Sequence, residues 1–136
     1  MENLLTTYMP TIASFVIIGG MLLLQLVVAD AIGIVQKHVP GTPIPADHST
    51  LLFRAHRAHA NTNESIAAFI TLTLFALAVA ATPYWLNALC LLYIAGRLGH
   101  MMCYYANLQT MRSIFFAVSL LALFGILGVS IAAVCR

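Results

Sequence analysis

The sequence predicts an all-α integral membrane protein, a bundle of four transmembrane helices with both termini on the non-cytoplasmic side. Three observations carry that prediction. The first is composition: 62% of residues are hydrophobic and 7% charged, against about 25% charged in a soluble domain, and mean hydropathy is +0.97. The second is length. A chain of 136 residues suits one domain, residues 1–136, of about four spans of roughly 20 residues each, with no room for a separate catalytic module. The third is the placing of the basic residues: Lys37, Arg54, Arg57, Arg97 and Arg112 lie at the ends of spans joined by loops one-two and three-four, which the positive-inside rule puts in the cytoplasm.

Span one covers about residues 11–36. Its apolar run is interrupted by Asp30 and by a Gly19-Gly20 pair expected to let another helix approach closely. The preceding MENLLTTYMP has no basic n-region and the apolar run is longer than a signal-peptide core, so span one reads as retained. Residues 37–50, KHVPGTPIPADHST, cannot continue a helix because of their prolines and glycine; Ser49 or Thr50 is the expected N-cap of the next helix. Span two, about residues 51–81, opens with RAHRAHANTNE (54–64) and ends in the apolar IAAFITLTLFALAVAA. It is longer than a bilayer core requires, so its first turns protrude or are shielded by protein. After the short Thr82-Pro83 turn, span three, about residues 83–106, reverses the order, apolar first and polar at its end. NLQT leads into span four, about residues 110–135.

Some function classes fall away at once. The six basic residues are scattered, and no basic run suggests nucleic acid. Cys90, Cys103 and Cys135 have no disulfide or metal spacing and read as small buried hydrophobes.

The chemistry lies on two helical faces. At 100° per residue, Arg54, Arg57, Asn61 and Glu64 fall within an arc of roughly 80°, and Tyr93, Arg97, His100 and Tyr104 within about 60°. Both faces lie toward the same membrane side. An ionisable residue inside a membrane helix costs several kcal/mol unless paired or wet, so two such faces at one depth read as a site. Glu64 is expected to neutralise Arg97. That leaves Arg54, Arg57, Asn61, His100, Tyr104 and Arg112 around a cationic cavity open to the cytoplasm, suited to a small ligand bearing carboxylates. Snorkelling to anionic headgroups explains Arg54 and Lys37 equally well, but Asn61 and Glu64 gain little from phosphate. His56 and His59 point away from the charged face, as interfacial or inter-helix hydrogen-bonding residues. Asp30 is either a partner for an arginine or a helix-packing group. His59 and His100 are the one histidine pair at a depth suited to axial haem ligation, yet His59 is off the Arg57 face; no metal or haem is expected. A small drug exporter would need a carboxylate deep in a span, which only Asp30 approaches.

The pattern Arg54-x-x-Arg57-Ala58-His59-x-Asn61-x-x-Glu64, preceded by Phe53, resembles the signature of the MAPEG family, the membrane-associated proteins in eicosanoid and glutathione metabolism. The run GRLGHMMCYYANLQTMRS is similar to the family's third-helix Arg and Tyr pattern followed by the Arg-Ser that opens the fourth helix. The resemblance covers nearly the whole chain. It implies a homotrimer of four-helix subunits, in the bacterial inner membrane or endoplasmic reticulum, with glutathione as co-substrate between neighbouring subunits near the cytoplasmic side. By position, Arg57, Asn61, Glu64, His100 and Tyr104 would contact glutathione, with Arg54 at the rim and Lys37 reaching in from the adjacent subunit. Arg112 would stabilise the thiolate, with Ser113 beside it, and Glu64 with Arg97 would form a structural ion pair. Ser65, where the leukotriene-forming branch has tyrosine, and Ala60, where the prostaglandin E synthase branch has arginine, point to a microsomal glutathione S-transferase-like member. Its implied activity is transfer of glutathione to lipophilic electrophiles, or reduction of lipid hydroperoxides. The family's non-catalytic, lipid-binding branch is the alternative.

Overall fold

The computed structural model describes residues 2–135, with side chains from Leu5 onward. Five helices follow in order: α1 (Glu2–Thr7), α2 (Met9–Val35), α3 (Leu51–Ala78), α4 (Pro83–Tyr105) and α5 (Gln109–Val134), with no strand among the described residues. Proline stands in the first turn of both α2 and α4, where its missing N–H leaves no helical bond unmade. At α3 the cap is Thr50, whose hydroxyl accepts from the Phe53 N–H at 3.4 Å. Ser49 does a different job. Its hydroxyl and N–H donate to the Asp47 carboxylate at 2.7 and 2.8 Å, and these bonds, the hydroxyl's first, hold the Asp47 carboxyl below its ordinary range.

Helices α2, α3 and α4 each stop at a residue in the left-handed region: Lys37 (φ 55°), Ala80 (φ 49°) and Asn107 (φ 58°). The next residue's N–H then reaches back to a carbonyl in the last turn, as from His38 to Gly33, Ala81 to Ala76 and Leu108 to Cys103 at 2.9, 2.9 and 2.8 Å. Ala80 has a Cβ penalty there and no polar side chain to offset it. Ala80→Gly is expected to stabilise the fold by about 1 kcal/mol, visible as a higher unfolding temperature in detergent.

Helices α2, α4 and α5 are long and apolar enough to cross a membrane. Helix α3 is long enough but not apolar enough, because Arg54, Arg57, Asn61, Asn63 and Glu64 crowd its first half. The chain is a multi-pass integral membrane protein. Large apolar side chains such as Val16, Leu23, Val27, Leu121, Phe124 and Ile131 stand exposed along α2 and α5, where lipid tails solvate them at no cost.

The bundle closes on α4. Tyr93 is fully buried and stacks flat on Phe69 of α3, ring centroids 4.3 Å apart, while Phe15 of α2 meets Phe69 from the other side at 5.7 Å. At the opposite end from Arg97, Asn87 accepts from the Thr11 hydroxyl at 2.7 Å and donates to the Thr7 carbonyl at 2.9 Å, and Tyr8 donates to the Ala81 carbonyl at 2.6 Å. Helix α5 comes closest to α4 at Gly96 and Gly99: a Cβ on Gly96 would lie 2.9 Å from both the Cβ and the backbone N of Ser119. Backbone cannot yield as a side chain can. Gly96→Ala is therefore expected to cost about 1–3 kcal/mol and to draw Ser119 away from Arg97, checked by thermal unfolding in detergent. The close approach expected at Gly19-Gly20 does not occur within the chain, since a Cβ at either meets nothing within 4 Å; α2 turns Ile18, Met21 and Gln25 inward instead.

Candidate functional site

The two polar faces read from the helical period meet in one layer between α3, α4 and α5. At its centre is Arg97, 1% exposed, and its guanidinium bridges α3 and α5. Nη1 donates to the Asn61 carbonyl (3.2 Å), the Asn61 Oδ1 (3.1 Å) and the Ser65 hydroxyl (3.3 Å), while Nη2 donates to the Ser119 hydroxyl at 2.8 Å. Ser65 is itself 2.8 Å from the Tyr93 hydroxyl.

The expected Glu64–Arg97 ion pair is not made. Glu64 pairs with Arg57 of its own helix at 3.7 Å, and Asn61 stands between Glu64 and Arg97. Its amide serves both sides, with Nδ2 donating to Glu64 Oε2 at 3.2 Å while Oδ1 receives Arg97. The reason is register. Arg97 arrives opposite Asn61, one turn short of Glu64, and a side-chain amide can accept from a guanidinium through its oxygen while donating to a carboxylate through its nitrogen. Four residues thus form a relay, Arg97–Asn61–Glu64–Arg57, running from the bundle interior to the half-exposed Arg57.

A second group continues from Arg97 toward the end of α4. His100, 3% exposed, meets the buried Tyr104 ring edge-on at 5.0 Å. The Arg112 guanidinium of α5 lies over the same ring, 4.4 Å from its centroid, a cation–π geometry. Among the described residues Arg57–Glu64 is the one ion pair, and no carboxylate lies within ion-pair distance of Arg112 or Arg97.

Other expected site residues are placed elsewhere. Arg54 turns to the preceding loop, its Nη1 donating to the His48 and Ser49 carbonyls at 2.7 and 2.8 Å. Lys37 sits exposed just past α2, and its side chain makes no hydrogen bond or ion pair with the described residues. The exposed Ser113 gives its hydroxyl to the Gln109 carbonyl of its own helix at 3.3 Å. His59 pairs within α3, its Nε2 2.9 Å from Asn63 Nδ2, and does not bond across helices. Asp30 is exposed and has no ion-pair partner among the described residues; it lines a groove of about 890 Å³ with His38, His56 and Arg57 between α2, the following loop and α3. Among the described residues no three His, Cys, Asp or Glu side chains gather to hold a metal ion.

Four residues were not foreseen. Ser65 and Ser119 are partners of Arg97; Ser65 could have been found, since it lies one turn beyond Asn61. Gln25 is fully buried in α2, and neither end of its amide has a partner among the described residues. A lone polar residue in an apolar span was its signal. His48 comes from the loop, where no helical period applies. Its Nδ1 is 3.4 Å from Arg112 Nη1.

The family model described as MAPEG family matches residues 10–132. No curated protein matches the chain.

Proposed function

The chain belongs to the MAPEG family, and on that premise we propose that it is a membrane glutathione transferase or peroxidase of the microsomal glutathione S-transferase type. The observation that carries the reading is Arg112, a guanidinium held against the Tyr104 ring with no carboxylate of the described residues within ion-pair distance. A lipid-binding member need not keep a thiol-activating cation there. Arg57 and Arg112 would take the anionic groups of glutathione, while Glu64 and the Asn61 amide would receive its ammonium. His100 and Tyr104 would bound the site on the α4 side.

The chemistry follows from electrostatics. A thiol with a pKa of about 8.5 is mostly protonated at neutral pH. A guanidinium beside the sulfur favours the thiolate, and the proton leaves to water. The sulfur then attacks the electrophilic carbon of a lipophilic substrate arriving from the bilayer. A C–S bond forms, and the displaced electron pair departs with a leaving group or takes up a proton on a conjugated double bond. With a lipid hydroperoxide, the thiolate attacks the terminal peroxide oxygen, the O–O bond breaks and the alkoxide takes up a proton to leave as the alcohol; a second glutathione thiol then attacks the resulting sulfenic sulfur, giving the disulfide and water.

Four spans, a homotrimer, both termini outside and the relay facing cytoplasm belong to the same proposal. Support for orientation comes from Arg54, Arg57, Arg97 and Arg112, which lie toward the same end of the bundle. The test is calorimetric titration of the detergent-solubilised protein with reduced glutathione. Binding at millimolar concentration or tighter is expected, and its absence would overturn the enzyme reading.

A further inference from the structure

The loop between α2 and α3 returns across the ends of α4 and α5 and delivers one side chain into the site. The His48 ring lies nearly parallel to Tyr104, interplanar angle 21° and centroids 6.4 Å apart, and the edge-on contact with Phe53 at 4.9 Å fixes it from α3. Its backbone is held as firmly. Arg54 donates to its carbonyl and to that of Ser49, and Asp47 on its other side is tied to Ser49. The loop is thereby stapled to α3 with the imidazole 3.4 Å from Arg112.

We propose that His48 is the positioning residue of Arg112: a neutral acceptor that holds the guanidinium over Tyr104 without cancelling its charge. The inference rests on the reading of Arg112 as the thiolate-binding cation. A guanidinium has no acceptor atom, so in this contact Arg112 donates and His48 Nδ1 accepts, which puts the imidazole proton on Nε2 and leaves the ring uncharged. A carboxylate at this position would also hold the arginine, more strongly, but would neutralise it and remove its effect on a neighbouring thiol. A purely aromatic residue would keep the stacking and lose the acceptor. Histidine supplies both ring and neutral acceptor.

The test uses the full chain in detergent with His48→Ala, His48→Gln and His48→Asp. In ligand-free protein carrying nitrogen-15 arginine, the Arg112 guanidinium resonance, identified by its loss in Arg112→Ala, is expected to move in His48→Ala and to stay near its wild-type position in His48→Gln. With reduced glutathione added, His48→Gln is expected to retain the ultraviolet thiolate band. His48→Asp is expected to lower the thiolate fraction at neutral pH about threefold, the effect of a one-unit rise in thiol pKa, although Arg112 is still held. An Arg112 resonance indifferent to His48→Ala would overturn the positioning role, and a full thiolate band in His48→Asp would overturn the need for a neutral acceptor. A wild-type protein with no thiolate band would instead sink the glutathione reading, leaving the ligand-free resonances to decide His48.

Discussion

Arg112→Ala is expected to leave the protein folded and still able to bind glutathione while lowering the thiolate fraction of the bound ligand at neutral pH about 25-fold. The size comes from the acid–base equilibrium. A thiol of pKa about 8.5 is roughly 3% ionised at pH 7. A guanidinium alongside an acid lowers its pKa by about 1–3 units, and a shift of two units raises the ionised fraction to about 75%. The cost to the fold should be small, under about 1 kcal/mol, because Arg112 is partly exposed and is held by one ring and one long hydrogen bond. Thiolate absorbance and turnover should fall together. Arg112→Lys should lie between, since an ammonium keeps the charge but not the planar fork. Ser113→Ala should have little effect, as its hydroxyl is spent on the Gln109 carbonyl. An unchanged thiolate band in Arg112→Ala would remove Arg112 from the chemistry.

Arg112 was marked in the sequence by the resemblance of Arg112-Ser113 to the MAPEG pattern, the faces of α3 and α4 by helical periodicity, and His48 by neither. Residues at 3.6-residue spacing share a face whatever surrounds them, so Arg57, Asn61 and Glu64 on α3, and Arg97, His100 and Tyr104 on α4, could be grouped by spacing alone. The shared end of the bundle followed from the reversed polarity of the two helices. Pairings across helices depend on axial register, which composition does not specify. Asn61 instead of Glu64 received Arg97 for that reason, and Glu64 fell to Arg57. Residue 48 has no period at all; its position is set by Arg54 and Asp47 clamping the loop. Arg54 shares the helical angle of Arg57, Asn61 and Glu64 and was expected at the rim; its length lets it turn back to the loop. The apolar content of α2, α4 and α5 was plain from sequence. In α3 the same polar residues that mark the site dilute the signal of a span.

Arg97→Met tests whether the relay is a scaffold or part of the binding site. Removing the guanidinium takes away bonds to Asn61, Ser65 and Ser119, and bonds to a charged donor are worth roughly 1.5–3 kcal/mol each. The sum overstates the loss. Ser119 also donates to the Phe116 carbonyl at 2.8 Å and Ser65 to that of Thr62 at 3.2 Å, so both keep a partner. The Asn61 carbonyl belongs to a helix, and a buried charge is itself costly to desolvate. The acceptor left orphaned is Asn61 Oδ1, and a net destabilisation of about 1–3 kcal/mol is expected, read as a lower unfolding temperature in detergent. The effect on ligand binding should be larger in proportion. Without Arg97 the Asn61 amide is free to turn, its donor no longer faces Glu64, and the Arg57–Glu64 pair loses its inner anchor. Glutathione affinity is then expected to fall at least about tenfold, or 1.4 kcal/mol. Arg97→Lys should recover little of it, because one ammonium cannot reach Asn61 on α3 and Ser119 on α5 together in the guanidinium's fixed geometry. Asn61→Leu combined with Arg97→Met should cost little more binding than either change alone, since each removes the same link. Additive losses would mean that the two residues act separately and that Arg57 and Glu64 bind the ligand without the buried arginine behind them.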